Sequence, residues 1–161
     1  MTIEEAILQN QFQNLYQKAW INVVYTGNRL NLLTERTLRP YGISLPQYNI
    51  LRILRGAKGQ PLSLMEIKRR LLDPNPDLSR LIDRMSKQKA WVHRCEDPDN
   101  RRRVQITITE AGLRLLDSID HDSDFSSIHR PARPLDAAEL EQLNSLLDRF
   151  RCALGVDPES E

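Results

Sequence analysis

A mostly helical chain carrying one small β wing is what this sequence predicts, and three observations predict it. No proline occurs before Pro40, and apolar side chains recur through that stretch at three-, four- and seven-residue intervals. Two short apolar-periodic segments, around Leu64–Leu71 and Leu78–Met85, then follow one another across a proline-rich break. After them Trp91-Val92-His93-Arg94 and the strictly alternating Val104-Gln105-Ile106-Thr107-Ile108 bracket a charged tip, the pattern of two short strands.

Element by element, Leu8, Phe12, Leu15, Ala19, Val23, Leu30 and Leu33 predict one long helix over residues 3–38. "RPYGIS" (Arg39 to Ser44) is a turn. Pro46 then suits the first residue of a second helix that stops at Gly56–Gly59. Ser63 and Glu66 have capping-box spacing for a third helix with Leu64, Ile67 and Leu71 on one side, and "DPNPD" (Asp73 to Asp77) ends it. The fourth helix carries Leu78, Leu81, Ile82 and Met85 at i, i+3, i+4 and i+7. Thr109 caps a fifth through Leu113, Leu116 and Ile119. "HDSDFSSIHRPARP" (His121 to Pro134) has no usable period and reads as a bend or flexible link. Asp136 and Glu139 repeat the capping-box spacing before a last helix with Leu140, Leu143, Leu147, Phe150 and Leu154.

The 161 residues fit one domain, with an added oligomerisation element at most, and 40% apolar with 28% charged residues is ordinary for a globular protein. No apolar run approaches a membrane span and Met1–Asn10 carries acids in place of a basic targeting region, so a cytoplasmic location is expected. Cys95 and Cys152 form no CxxC, which signals neither a disulfide framework nor a zinc site. The net charge is only +1, but it is unevenly placed. Lys68–Gln105 holds eleven Lys/Arg against six Asp/Glu, whereas Thr109–Glu161 holds five against twelve. A basic middle beside an acidic last third points to a polyanionic partner for the middle, or to a locally solvated charged surface.

Two short helices followed by a hairpin are the order of a winged helix-turn-helix. At about 100° per residue the apolar positions of the fourth helix fall on one side, and Arg80, Asp83, Arg84 and Lys87 on the other. Three cations with a polar N-terminus (Asn75, Ser79) suit a DNA major groove, arginine pairing with guanine edges and Lys87 with the backbone. A plain solvated helix face would look the same. Asp83 is expected to pair within its own helix, with Arg80, Arg84 or Lys87. The tip Arg101-Arg102-Arg103 places three like charges together, and a projecting arginine suits a narrow minor groove.

In "YGISLPQYNILRIL" (Tyr41 to Leu54), "LSRLIDRM" (Leu78 to Met85), "WVHR" and "DPDNRRRVQITITEAGLRLL" (Asp97 to Leu116) the chain resembles the MarR-type winged-helix transcription regulators of bacteria. The resemblance implies a symmetric homodimer whose terminal helices, 1–40 and 120–161, intertwine and carry DNA-binding lobes, here 41–119. It also implies repression, with release of DNA on binding a small, often phenolic, ligand or on oxidation. By position, Arg102 is the minor-groove arginine with Arg101 beside it, and Ser79-Arg80 opens the recognition helix. Asn100 stands where an aspartate is usual, Ala90 where glycine is usual, and "SKQKA" runs one residue long, so a recognition helix that either extends or ends irregularly is expected. No cysteine in the first helix matches the peroxide-sensing branch, and Cys95 reads as an ordinary thiol.

Apolar stripes on both terminal helices need a partner, and a dimer would bury both pairs. Trp20, Tyr25, Arg39, Tyr41 and Tyr48 are the candidate lining of an effector pocket, though aromatics at helical spacing are more often core. No cofactor is implied. An enzyme is the main rival, resting on His121, Asp122, Asp124 and His129, but these have no ordered ligand spacing and no nucleophile beside them. A winged-helix module that binds protein or RNA is the other rival.

Overall fold

The computed structural model describes residues 1–73, 77–96, 104–129 and 135–155. It divides into two compact units, Met1–Leu45 and Pro46–Glu161. The fold is mostly helical with one small three-stranded antiparallel sheet, a winged helix.

The first unit holds two helices where one was expected: α1, Ile3–Ile7, and α2, Leu15–Leu38. Capping explains the break. Thr2 and Glu5 close a full capping box on α1, and Leu8 ends it in the left-handed region at φ 54°. The polar run that follows satisfies its own backbone, which competes with helix. Asn14 accepts from the Gln17 N–H (2.9 Å), and the Gln17 side chain accepts from the Gln13 N–H (2.7 Å). Glu4 then pairs with Lys18 across the break, and that hydrogen bond is the main reason its carboxyl titrates below the usual range. A 3₁₀ turn, Arg39–Tyr41, ends at Gly42 with φ 62°.

In the second unit α3 (Leu45–Gly56) has Pro46 in its first turn and buries Ile50, Leu51 and Leu54. The strand β1 (Leu62–Ser63) leads into α4 (Leu64–Lys68), where the Ser63–Glu66 capping box forms as its spacing predicts. Leu71 falls beyond the end of this short helix. Then come α5 (Leu78–Lys87), β2 (Val92–Glu96), β3 (Val104–Ile108) and α6 (Glu110–Asp120). The sheet order is β1-β3-β2, with Leu62 and Arg94 flanking Ile106. Ile106, Ile67, Ile82, Met85, Leu116 and Ile119 are all essentially inaccessible.

Within the segment read as a bend or flexible link, Ser123–His129 form a helix, α7, and residues 130–134 lie outside the described ones. Two turns are too short to show a period. Their support is the Asp122 carboxylate, which accepts from the backbone N–H groups of Asp124 (2.7 Å) and Phe125 (3.0 Å), and the burial of Phe125. The last helix, α8 (Ala137–Ala153), starts from the expected Asp136–Glu139 capping box.

One junction ties the end of α5, the start of β2 and α6 together. Past α5 the chain turns through Ala90 at φ 53°, a conformation costly for any residue with a Cβ. The Trp91 N–H donates to the Met85 carbonyl (3.0 Å), one residue wider than the usual six-residue helix closure. Of the two outcomes the "SKQKA" run allowed, extension or an irregular end, the helix takes the irregular end. Thr109 then donates through Oγ1 to the Ala90 carbonyl (2.7 Å) and through its backbone N–H to the Trp91 carbonyl (3.0 Å). Thr109 also caps α6 by accepting from the Gly112 N–H (3.2 Å). A methyl on Gly112 would run into the Trp91 carbonyl and lie 2.9 Å from Ile108 Cγ1.

Ala90→Gly is expected to stabilise the fold by about 0.5–1 kcal/mol, the relief at positive φ exceeding glycine's entropic cost. Gly112→Ala is expected to destabilise it by about 1–3 kcal/mol through overpacking. Urea midpoints of the two variants check both signs.

Candidate nucleic-acid interface

Helix α5 is the centre of the candidate site. Asp77 caps it, accepting from the Arg80 N–H (3.2 Å), so the side chains of Ser79 and Arg80 sit in the first turn. Leu78, Ile82 and Met85 are buried, Leu81 is half-buried, and Ser79, Arg80, Arg84 and Lys87 are exposed. Among the described residues Arg80, Arg84 and Lys87 make no ion pair. Unpaired exposed cations carry a charge that a polyanion can neutralise.

Asp83 differs from expectation. It pairs with Arg94 on β2 and with none of the cations on its own helix. Strand alternation accounts for it: Arg94 shares its face with Val92, which is buried, so its side chain is directed toward the helix that packs there.

The wing arginines Arg101, Arg102 and Arg103 lie outside the described residues, as do Asn75 and Asn100. A further set was missed by sequence reasoning. Lys68, Arg69 and Arg70 at the end of α4 are exposed and form no ion pair among the described residues. They belong to the basic window, and the early end of a five-residue capped helix exposes all three; that short length was the missing signal.

Not every cation is unpaired. Arg52 donates to Asp120 Oδ1 (2.9 Å) and Arg55 to Asp120 Oδ2 (2.7 Å), with Asp117 3.6 Å from Arg55, which clamps α3 to α6. His121 Nδ1 lies 2.7 Å from the Asp117 carbonyl, and Asp122 serves as the α7 cap. Among the described residues no group of three or more His, Cys, Asp or Glu is gathered as a metal site.

Of the candidate effector residues, Trp20, Tyr25, Arg39 and Tyr41 belong to the first unit and Tyr48 to the second. Trp20 is half exposed; Arg39 and Tyr41 share the 3₁₀ turn. The Tyr25 hydroxyl accepts from Arg29 Nε (3.1 Å), and the Arg29 guanidinium lies 5.3 Å from the ring centre. Tyr48 meets Phe125 edge-on at 5.4 Å, under the Arg52 guanidinium. Cys95 is a half-buried free thiol 3.7 Å from the Gln105 carbonyl.

Residues 41–103 match the MarR family. A MarR transcription factor from Planctomyces limnophilus is 30% identical, with a TM-score of 0.59 over 86% of this chain and 98% of that one. The HTH-type transcriptional regulator PecS of Dickeya dadantii (strain 3937) is 29% identical over 138 residues, 79% of this chain and 78% of that protein. A mutant MarR from E. coli complexed with operator DNA is similar in fold, with 23% identity and a TM-score of 0.70 over 87% of this chain and 98% of that one.

Burial pushes the Tyr48 phenol above its ordinary value of 10.0, so the protonated form is favoured in the folded state. The associated stability is complete below the unfolded pKa and is lost as pH rises through the folded one. Tyr48→Phe is expected to remove a phenolate absorbance transition lying above 10.0 and to flatten the alkaline fall in stability; a spectrophotometric titration with parallel unfolding curves checks it.

Proposed function

The chain belongs to the MarR family of transcription regulators, and from that premise we propose that it binds a palindromic operator in double-stranded DNA as a homodimer and acts as a ligand-responsive repressor. The observation that carries this reading is the outer face of α5. Arg80, Arg84 and Lys87 stand exposed there without an ion pair among the described residues, over a buried Leu78–Ile82–Met85 base. A helix anchored on one side and cationic on the other reads the major groove, with Ser79 and Arg80 nearest the bases. Asn75 is proposed beside them. Arg102 is the proposed minor-groove residue, flanked by Arg101 and Arg103, and Lys68, Arg69 and Arg70 add charge for the phosphates.

Apolar exposure supports the dimer. On α2, Leu15 is 84% exposed and Trp20, Val23, Leu30 and Leu33 are at least two-fifths exposed; on α8, Leu140, Leu143 and Leu146 are too. Stripes of this kind mark an interface. In the proposed arrangement the terminal helices, 1–40 and 120–161, dimerise, and 41–119 form the DNA-binding lobe. Two recognition helices related by a two-fold axis meet half-sites about 10 base pairs apart.

Trp20, Tyr25, Arg39, Tyr41 and Tyr48 are the residues proposed to bind an effector, a small aromatic or phenolic compound. Tyr48, protonated at neutral pH like any ordinary phenol, would donate a hydrogen bond.

The test is a salt-dependent gel shift on the protein's own promoter region and on genomic fragments enriched by binding, with and without phenolic compounds. Specific shifts that compounds release support the reading, whereas no specific shift on any fragment favours a protein or RNA partner. Arg80→Ala is expected to relax sequence preference at one base position, at a cost of about 1–3 kcal/mol. Arg102→Ala is expected to weaken all sequences alike and to reduce the salt slope by about 1. Equal losses everywhere for both would contradict that division.

Light scattering at micromolar concentration is expected to show twice the chain mass, and Leu143→Glu on the exposed α8 stripe to lower it toward the monomer. A monomeric wild-type protein would rule out the dimer.

A further inference from the structure

Resting on the DNA-binding reading above, we propose that Asp83 and Arg94 are a positioning pair that holds the recognition helix in register with the wing and so sets the discrimination between operator and other DNA. The pair joins the middle of α5 to β2, the strand that leads into the wing arginines, whereas the Trp91–Met85 closure holds only the end of the helix. Burial of Leu78, Ile82 and Met85 seats the inner face of α5 on the core, and the pair adds a side-chain tie from its outer face to β2. A groove-reading helix and a wing must engage one duplex at a fixed separation, so a small change in tilt costs specific contacts before it costs phosphate attraction.

Charge makes the placement more telling. Asp83 falls on the helix side that also carries Arg80, Arg84 and Lys87. A bare carboxylate there would repel phosphate. Arg94 neutralises it and takes it toward the sheet, leaving the remaining side chains of that face uniformly cationic. The two side chains are 36% and 34% exposed, and pairs this open contribute little to folding, so variants are expected to fold.

The two roles, positioning and charge masking, give opposite results. If Asp83 only repels DNA, Asp83→Asn tightens operator and random DNA alike. If it positions the helix, Asp83→Asn and Arg94→Gln each lower the ratio of operator to random-DNA affinity, by about tenfold. Asp83→Asn would leave random-DNA affinity unchanged or higher. The combined variant is expected to lose no more of that ratio than either single one, and Arg94→Lys to lie between wild type and Arg94→Gln. The measurement is titration of operator and random duplexes at matched salt, with thermal unfolding of every variant. An unchanged ratio in Asp83→Asn, or losses that simply add in the combined variant, would overturn the proposal. Wild-type protein that binds no DNA would instead bring down the parent reading, and the proposal with it. Should one single variant not fold, the graded Arg94→Lys and Arg94→Gln comparison still decides it.

Discussion

The close approach of Gly112 to the Trp91 carbonyl is the constraint on which the rest of the winged helix depends. At that point the end of α5, the start of β2 and the first turn of α6 share a few ångströms, and only a residue without a side chain fits. Thr109 exploits the proximity by serving two partners, the Ala90 carbonyl and its own helix cap. The cost appears at Ala90, which takes the left-handed conformation while bearing a Cβ. Helix α5 thus reaches β2 through a backbone closure one residue wider than usual, at some local strain.

Charge in this protein divides into two populations that counting cannot separate. Arg52 and Arg55 are spent internally, holding α3 against the acidic end of α6. Arg80, Arg84 and Lys87, with Lys68 to Arg70, are not spent on any ion pair among the described residues. The acidic last third is therefore partly a structural counter-charge for α3. The Asp83–Arg94 pair lies between the populations, one cation used to hide the anion that would spoil a basic face.

The terminal helices show how far burial departs from hydrophobicity. Val23, Leu30 and Leu33 have the spacing of a core stripe, yet all remain substantially exposed on α2. Periodicity records that a face needs covering and is silent on what covers it. A second copy of the chain is the occupant the family membership favours.

Sequence alone determined helices α3 to α6 and α8 and the strands β2 and β3, though neither β1 nor α7, together with the Ser63 and Asp136 capping boxes, the Thr109 cap and the two faces of α5. These are set by neighbours within four residues, and local hydrogen bonding with apolar spacing suffices to write them. The resemblance carried the fold, and Ala90 and "SKQKA" marked where the fourth helix would either extend or end irregularly. Tertiary structure decided the rest. It broke the first helix at Leu8, because side-chain caps outweighed an unbroken apolar period, and it made α7 from a single buried phenylalanine and one capping aspartate. It also sent Asp83 to Arg94, eleven residues away, in place of the cations on its own helix. Partner choice among charges depends on which elements pack together, and that distance in space is not written in the spacing along the chain.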